Sequence, residues 1–368
     1  MDTLKTIPVA APQMGEEEKA AVMAVLESGQ LAQGPVVEAF EREFARWCGV
    51  EHAVAVNSGT AALHLVMLAH GIKEGDEVIT SPFTFVASAN AALFAGARPV
   101  FVDIEPLTFC LDPERVEAAI TPRTRAIMPV DLYGHPAAIP ELREIADRHG
   151  VLLIEDACQA HGAAIGDRRA GALGVSATFS FYPTKNMTTA EGGMVTTDDA
   201  GVARQVSVLR QHGASERYHH DVLGYNFRMT EIAAAIGRAQ LAKLDRFNER
   251  RRRNASVLDE GLAGIDGVVT PRERQGYRHV YHQYTVRIAR DRDGFQRRLG
   301  ELGVGSAVHY ELPVHRQPLY IGLGYGNVSV PEADRAAAQV LSLPVHPALS
   351  DADLDRIVES VRQAASTS

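Results

Sequence analysis

Between residues 50 and 200, short apolar segments alternate with segments that have helical spacing. HAVAVNS, DEVITSP, RPVFVDI, RAIMPVDL and VLLIEDA have the length and composition of strands, whereas TAALHLVMLAHG and FVASANAALFAG have those of helices. Strands that alternate with helices in this way form βαβ units, and their parallel sheet is covered by helices on both faces. The pattern therefore predicts an α/β fold with a large, mostly parallel central sheet.

The rest of the chain has a different pattern. Residues 230–262 predict one long helix that begins MTEIAAAIGRAQLAKL, and HQYTVRI, FQRRLGELGV and ADLDRIVESVRQAA follow as a strand and two helices. A length of 368 residues is enough for one large domain and a smaller one. We therefore expect a large domain over residues 1–245, whose N-terminal lead packs against the other domain, and a small α+β domain over residues 246–368.

Composition argues against several classes of protein. Hydrophobic residues make up 46% of the chain, no long uncharged apolar window occurs, and the start lacks the features of a signal peptide. We therefore expect a cytoplasmic protein with no membrane partner. Three widely spaced cysteines argue against a disulfide framework and a cysteine-rich zinc site, and no other metal site is predicted. A net charge of −9 argues against a nucleic-acid partner.

The segment SFYPTKN, followed by AEGGMVTT, places Lys185 between an apolar strand and a Gly–Gly pair. Lysine is ordinarily a solvated surface residue. An amine in a partly desolvated pocket, however, has a lowered pKa and can attack an aldehyde. Gly192 and Gly193 would let the next strand turn back tightly against such a pocket. Lys185 is therefore the candidate nucleophile.

The segment IEDACQAHG places Asp156 at the end of a predicted buried strand. Ligands of open α/β sheets bind at the carboxyl ends of the strands. Asp156 either caps a following helix or pairs with the ring nitrogen of pyridoxal phosphate, where it would keep the ring protonated. Gln159, three residues later, could reach the phenolic oxygen of the same ring.

Two motifs predict where a phosphate and an aromatic ring could bind. In VNSGTAAL, a strand runs into a helix whose first N–H groups could bind a phosphate, and a plain helix capped by Ser58 or Thr60 is the alternative. SPFTFVAS supplies Phe83 or Phe85, which either stacks on a cofactor ring or belongs to the core.

Two further segments carry polar residues for which the sequence allows more than one role. GYNFRMTEIAAAIG places Asn226 and Arg228 just before the long helix, where Asn226 either caps that helix or binds a ligand. The run Arg250–Arg253 is the one basic stretch, and we interpret it first as a solvated helix face.

NSGTAAL, IEDACQAHGA, FSFYPTKN, EGGMVTT and GYNFRMTEIAAAIG, in this order, resemble the DegT/StrS family of nucleotide-sugar aminotransferases. The likeness extends from LESGQLAQGPVVEAFEREFA to SLPVHPALS, which is nearly the whole chain. It implies a pyridoxal-phosphate-dependent transferase of fold type I. It also implies transfer of an amino group from an amino acid, expected to be L-glutamate, to the keto carbon of a nucleotide-linked 3- or 4-keto-deoxysugar.

The resemblance implies a role for each matched residue. Lys185 would hold the cofactor as a Schiff base and move the proton, Asp156 would bind the ring nitrogen and Gln159 the ring hydroxyl. Phe85 would stack on the ring. Asn226 would reach the phosphate in a neighbouring subunit, so the active unit would be a homodimer with shared sites. The phosphate would otherwise be held by Gly59, Thr60 and Ser180. The substrate would be bound by Tyr182, Arg228, His309 and Tyr310, with part of Arg250–Arg253 on the nucleotide diphosphate.

Related chains with other functions provide alternatives. A sister group that dehydrates sugars carries histidine at the Schiff-base position, so Lys185 favours amino transfer. The first alternative is an aminotransferase that acts on a cyclitol ketone and binds no nucleotide. The second is a regulatory homologue without catalysis, against which the presence of both Lys185 and Asp156 argues.

Overall fold

The structure is a computed structural model that describes residues 6–366. Its α-helices are α1 Glu16–Ser28, α2 Pro35–Cys48, α3 Gly59–Ala69, α4 Ala87–Phe94, α5 Pro113–Ala118, α6 Ile139–His149, α7 Ala200–Arg210, α8 Glu231–Leu262, α9 Arg292–Glu301, α10 Pro318–Gly322, α11 Pro331–Gln339 and α12 Asp351–Ser366. Its strands are β1 His52–Val56, β2 Glu77–Thr80, β3 Arg98–Phe101, β4 Thr124–Met128, β5 Leu152–Asp156, β6 Ala164–Ile165, β7 Arg168–Arg169, β8 Ser176–Ser180, β9 Gly193–Thr197, β10 Ala214–Glu216, β11 His219–His220, β12 Val268–Val269, β13 Tyr277–Arg278, β14 Tyr284–Ile288 and β15 Val340–Leu343.

A seven-stranded sheet in the order β1-β9-β8-β5-β4-β2-β3 forms the centre of the molecule. The strands from β8 to β3 pair in parallel, whereas β9 is antiparallel to both β8 and β1. The predicted α/β fold with a mostly parallel sheet is confirmed. The predicted tight return at Gly192 and Gly193 is wrong, because β8 ends at Ser180 and β9 begins at Gly193, so a loop of residues 181–192 joins them. Glycine at position 193 instead allows a close approach to α3, since a Cβ there would lie 2.3 Å from the carbonyl oxygen of Ser58.

Helices cover both faces of this sheet. Val78 and Ile79 are neighbours in β2 and lie in different hydrophobic cores, since successive side chains of a strand point to opposite faces. The core around Val78 includes residues of α3, α4 and α7, and the core around Ile79 includes residues of α5, α6 and α11. Burial on both faces explains why the strand segments are almost continuously apolar.

The long helix α8 joins the sheet to a second core. Its N-terminal half packs against α1 and α2, and Ala255, Leu258 and Leu262 enter a core with β14, β15, α9 and α12. Ile7 lies in the same core and donates its N–H to the carbonyl of Gly303 at 2.9 Å. The predicted long helix is therefore confirmed, and the described part of the N-terminal lead packs with C-terminal elements.

The domain boundary predicted at residue 245 falls inside α8, so both parts of the chain share this helix. The division itself stays a prediction. Its outer ends, residues 1–5 and 367–368, lie outside the described residues.

Within residues 6–366, no helix is both long enough and apolar enough to cross a membrane. Over the same range, no group of three or more histidine, cysteine, aspartate or glutamate side chains is arranged to hold a metal ion.

Candidate active site

The carboxyl ends of β5 and β8 place the predicted catalytic residues at one edge of the sheet. The two strands are parallel neighbours, and Asp156, the last residue of β5, pairs with Thr178 of β8. The loop that follows β8 carries Lys185. Residues far apart in the sequence are brought together here because parallel strands end at the same edge.

Asp156 is a buried carboxylate with fixed orientation. Its side chain is 3% exposed, Oδ2 accepts a hydrogen bond from the Ser88 hydroxyl at 2.6 Å, and Oδ1 accepts one from the Cys158 N–H at 3.2 Å. No helix begins within the ten residues after β5, so the alternative that Asp156 caps a helix is wrong. A buried carboxylate without a cation bound to it can pair with a cationic ligand group.

Lys185 has a half-buried side chain near this carboxylate. Burial lowers the pKa of the amine, and the electrostatic influence of Cys158 and Asp156 opposes that shift. Among the described residues, Nζ has no hydrogen-bond or ion-pair partner. A lysine of this kind has a larger neutral fraction, which is the nucleophilic form.

Three histidines share the surroundings of Lys185. Burial, and then the charge of Lys185, lowers the pKa of His161 to about 3 and that of His309 to about 4. The same two causes, in the same order, lower the pKa of His282. These rings are therefore neutral at pH 7 and add no positive charge beside the amine.

The N-terminus of α3 lies against the end of β8. Ser58 is the N-cap, since its hydroxyl accepts the N–H of Ala61 at 3.1 Å, and the alternative of a cap at Thr60 is wrong. A Cβ at Gly59 would lie 2.6 Å from Cβ of Ser180, so only glycine permits this approach. Within the described residues, the N–H groups of Gly59 and Thr60 have no acceptor. Free N–H groups at the positive end of a helix dipole suit a phosphate.

The residues predicted to hold the ring also meet at this edge. Phe83 lies in the core, whereas the Phe85 side chain is 55% exposed and its ring centroid is 6.2 Å from that of Tyr310. The Gln159 side chain is buried; its Oε1 accepts from the N–H of Tyr133 at 2.9 Å and its Nε2 donates to the Tyr310 hydroxyl at 3.1 Å. Of the two phenylalanines, only Phe85 has a face free for a ligand.

The four residues predicted for the substrate lie around the same edge. His309 and Tyr310 are adjacent, and Tyr310 contacts Gln159 directly. Tyr182 lies in the loop of Lys185 and accepts its backbone N–H at 2.9 Å, with a side chain that is 48% exposed. Arg228 pairs through its backbone with Val56, the last residue of β1. Their contacts with substrate stay predictions.

Asn226 does not cap α8. The N-cap is Thr230, whose hydroxyl accepts the N–H of Ala233 at 3.2 Å, so that alternative is wrong. The Asn226 side chain is exposed, and among the described residues it has no hydrogen-bond partner; only its carbonyl is used, by Asn57 at 3.4 Å. Its predicted reach into a neighbouring subunit stays a prediction.

The run Arg250–Arg253 differs from its interpretation as a solvated helix face. Arg251 is buried, so that interpretation is wrong for this residue. The four side chains have partners within the chain, in order the carbonyl of Leu349, the carbonyl of Tyr281, the carboxylate of Glu273 and the carboxylate of Asp351. The predicted contact with a nucleotide diphosphate stays untested, and these partners argue against it.

Sequence reasoning missed two residues of the site. Ser88 lies in a segment that reads only as a helix, and nothing local marks it as the partner of a carboxylate 68 positions away. Tyr133 lies in VDLYGHP, directly after a predicted strand. That Tyr–Gly pair at a strand end was the available signal, since such turns often hold functional residues.

The chain matches known proteins over almost its full length. The model of the DegT/DnrJ/EryC1/StrS aminotransferase family matches residues 12–362. A dTDP-3-amino-3,4,6-trideoxy-alpha-D-glucose transaminase of Streptomyces venezuelae is 44% identical, over 97% of this chain and 94% of the relative. A protein of Geobacillus stearothermophilus named as a pleiotropic regulatory protein is 43% identical, over 95% of each chain.

A solved structure supports the same family. DesV of S. venezuelae, in complex with a ketimine intermediate, has a TM-score of 0.93 and 45% identity, over 95% of this chain and 94% of that one. Solved structures in a PLP-form are also among the chains it resembles, and aminotransferases of this family depend on pyridoxal phosphate. The predicted family and fold type are confirmed: this chain belongs to the DegT/DnrJ/EryC1/StrS aminotransferase family.

Proposed function

We propose that this chain uses pyridoxal phosphate to transfer an amino group from L-glutamate to the keto carbon of a nucleotide-linked 3- or 4-keto-deoxysugar. The observation that carries the proposal is the pair of Lys185 and Asp156. Over residues 6–366, the amine of Lys185 has no hydrogen-bond or ion-pair partner, the buried carboxylate of Asp156 has no cation bound to it, and both lie at the same edge of the sheet. The substrate class is supported by the 44% identity with a dTDP-aminosugar transaminase.

The described residues fit pyridoxal phosphate on four points. The Asp156 carboxylate can pair with a protonated ring nitrogen. The lowered pKa of Lys185 favours the neutral amine, which can attack an aldehyde. The exposed ring of Phe85 offers a face for stacking. Within the described residues, the N–H groups of Gly59 and Thr60 have no acceptor and could bind the phosphate, and glycine at position 59 lets Ser180 lie beside them.

The chain's own residues supply binding and proton transfer. When bound, pyridoxal phosphate provides an electron sink for the carbanion of the substrate. The Asp156 carboxylate favours the protonated ring nitrogen on which that sink depends, and the hydroxyl of Ser88 holds the carboxylate in place. In each half-reaction Nζ of Lys185 would carry the proton between the substrate carbon and the cofactor, so it would act as general base and as general acid in both.

The phosphate site motivates the proposal of a homodimer. Within the described residues, no arginine or lysine side chain forms a hydrogen bond with Gly59, Thr60 or Ser180. The unpartnered side chain of Asn226 would add a donor to the phosphate of a second copy. Two copies related by a two-fold axis would complete both sites, since such an interface is self-complementary.

Two experiments test the proposed function. The purified protein should show the visible absorbance of a bound cofactor, and L-glutamate should bleach it reversibly. A panel of nucleotide-linked ketosugars, offered with L-glutamate, should contain an acceptor that is aminated. Amination of cyclitol ketones without binding of any nucleotide would support the first alternative instead. A protein that binds no cofactor and turns over no substrate would support the regulatory alternative.

A further inference from the structure

Tyr133 has a backbone conformation that an aromatic residue rarely adopts. It follows β4 in the turn formed by residues 131–134, its φ is 59° and its ψ is 4°, and its side chain is 3% exposed. A left-handed conformation at a residue other than glycine costs free energy, and it persists only where the surroundings enforce it. Such residues cluster at functional sites, so the contacts of Tyr133 are informative.

The backbone of Tyr133 determines which way the Gln159 amide faces. Because the Tyr133 N–H donates to Oε1 at 2.9 Å, the amide nitrogen must point the other way, where it donates to the Tyr310 hydroxyl at 3.1 Å. An amide nitrogen has two hydrogens, and the second remains for a ligand oxygen. The site therefore presents a donor at Gln159, as the phenolic oxygen of the cofactor requires.

The side chain and carbonyl of Tyr133 hold other parts of the site. Its hydroxyl donates to the carbonyl of His309, which immediately precedes Tyr310. Its carbonyl accepts the N–H of Gln283 at 3.2 Å. The adjacent Gly134 cannot be replaced without conflict, since a Cβ there would lie 2.9 Å from the backbone nitrogen of His282. Every polar group of Tyr133 is thus engaged, and its partners His309 and Gln283 lie in segments that follow α8.

We propose that Tyr133 is a positioning residue for amino transfer. Its N–H orients Gln159 toward the ring of the cofactor, and its hydroxyl holds the His309–Tyr310 segment in position for the substrate. The second statement rests on the proposed function, because it assigns that segment to the substrate. Tyr133 itself acts through these residues and does not need to touch a reacting atom.

The variant Tyr133→Phe tests the hydroxyl alone, since it keeps the backbone N–H and the ring. A matched control is Tyr284→Phe, which removes another buried hydroxyl, one that donates to Asp259 at 2.6 Å in the C-terminal core. Hydrogen–deuterium exchange of the cofactor-free proteins gives a readout that does not depend on activity. We expect faster exchange of the amides in residues 306–312 in Tyr133→Phe and no such change there in Tyr284→Phe.

The kinetics of the loaded enzyme should change in a specific way. Tyr133→Phe should raise KM for the ketosugar about tenfold and change kcat by less than about threefold, since one hydrogen bond that positions the substrate segment is lost. Tyr284→Phe should leave both constants close to those of the wild type. Unchanged exchange and unchanged KM in Tyr133→Phe would overturn the proposal, and so would equal effects in the two variants.

The variant Gln159→Glu tests the other contact. Its carboxylate can still accept the Tyr133 N–H but has no hydrogen to donate toward the cofactor. Loss of a donor disfavours a deprotonated oxygen, so the pH midpoint of the visible cofactor band should rise. Tyr133→Phe, which keeps the N–H, should leave that midpoint unchanged. A shift in Tyr133→Phe but none in Gln159→Glu would overturn this part. If the wild type shows no transamination, the proposed function fails, while the exchange experiment still decides the role of the hydroxyl.

Discussion

The loop that carries Lys185 and the basic run Arg250–Arg253 differ in whether their charges have partners. Lys185 is a single cation in a loop, its side chain is half-buried, and among the described residues it forms no hydrogen bond or ion pair. Arg250–Arg253 is the densest basic stretch of the sequence, and each of its side chains binds a carbonyl or carboxylate of the same chain. The less conspicuous of the two regions is the one left free to react.

The difference has a physical cause. An exposed cation can exchange water for an intrachain acceptor at little cost, and a helix that crosses between two cores meets many such acceptors. A desolvated amine without a partner is costly to maintain, so its presence calls for a ligand. Lack of a partner in a partly buried position is therefore the better guide to function, and the following variants test that comparison.

The largest effect is expected for Lys185→Ala. Turnover should fall by more than about three orders of magnitude, because both the covalent attachment and the proton carrier are lost. The fold should persist, since within residues 6–366 the side-chain amine makes no hydrogen bond or ion pair that would be lost. Lys19→Ala, which removes an exposed ion pair with Glu16, is the control and should keep wild-type activity. Borohydride reduction and peptide mapping should locate the pyridoxyl group on Lys185, and a label on another lysine would contradict the assignment.

The next effect is expected for Asp156→Ala. Loss of the carboxylate disfavours protonation of the cofactor's ring nitrogen, so the rate should fall by about two orders of magnitude or more. Asp156→Asn keeps the shape of the side chain and removes its charge, and it should lose activity as well. Steady-state turnover of both variants is the measurement. Near-wild-type rates in either one would show that the charge is not what the site needs.

Among the described residues, the side chain of Asn226, like that of Lys185, has no hydrogen-bond partner, and a mixing experiment sharpens the comparison of the two. Chains with Lys185→Ala and chains with Asn226→Ala are combined under conditions that allow exchange of subunits. If sites are shared, each mixed dimer contains one intact site, so equal mixing should restore about a quarter of the sites. If Asn226 acts only within its own chain, each site keeps one defect and mixing restores nothing. A fully active monomer would also end the shared-site proposal.

The smallest effects on turnover are expected in the arginine run. Arg251→Ala should lower the free energy of unfolding by about 2–4 kcal/mol, because buried hydrogen bonds to the carbonyls of Tyr281 and His282 are lost. Arg253→Ala breaks an exposed ion pair with Asp351 and should cost less than about 1 kcal/mol. Denaturant unfolding measures both. A large rise in KM for the nucleotide sugar in Arg253→Ala would support the predicted contact with the nucleotide diphosphate, against which the ion pair with Asp351 argues.

The arrangement of the candidate site could be predicted because its signals are local. The apolar segments predict parallel strands, the ends of such strands share an edge, and Asp156 and Lys185 stand at or just after two of those ends. Gly193 lies where β9 begins beside the N-terminus of α3, and this close approach leaves no room for a Cβ. The family roles of Gly59, Ser180 and Gln159 follow from the same short motifs.

By itself, the sequence determined the order of strands and helices, because backbone periodicity and turn chemistry act over a few residues. Its motifs, through their resemblance to known chains, indicated the family. Only the tertiary structure decided which side chains have partners. Ser88 meets Asp156 across 68 positions, and Gln159 meets Tyr310 across 151. The packing also decided burial: Phe85 is exposed, whereas Phe83 and Arg251 are buried. Such pairings depend on how separate elements pack, and no local pattern records which distant residue will lie opposite.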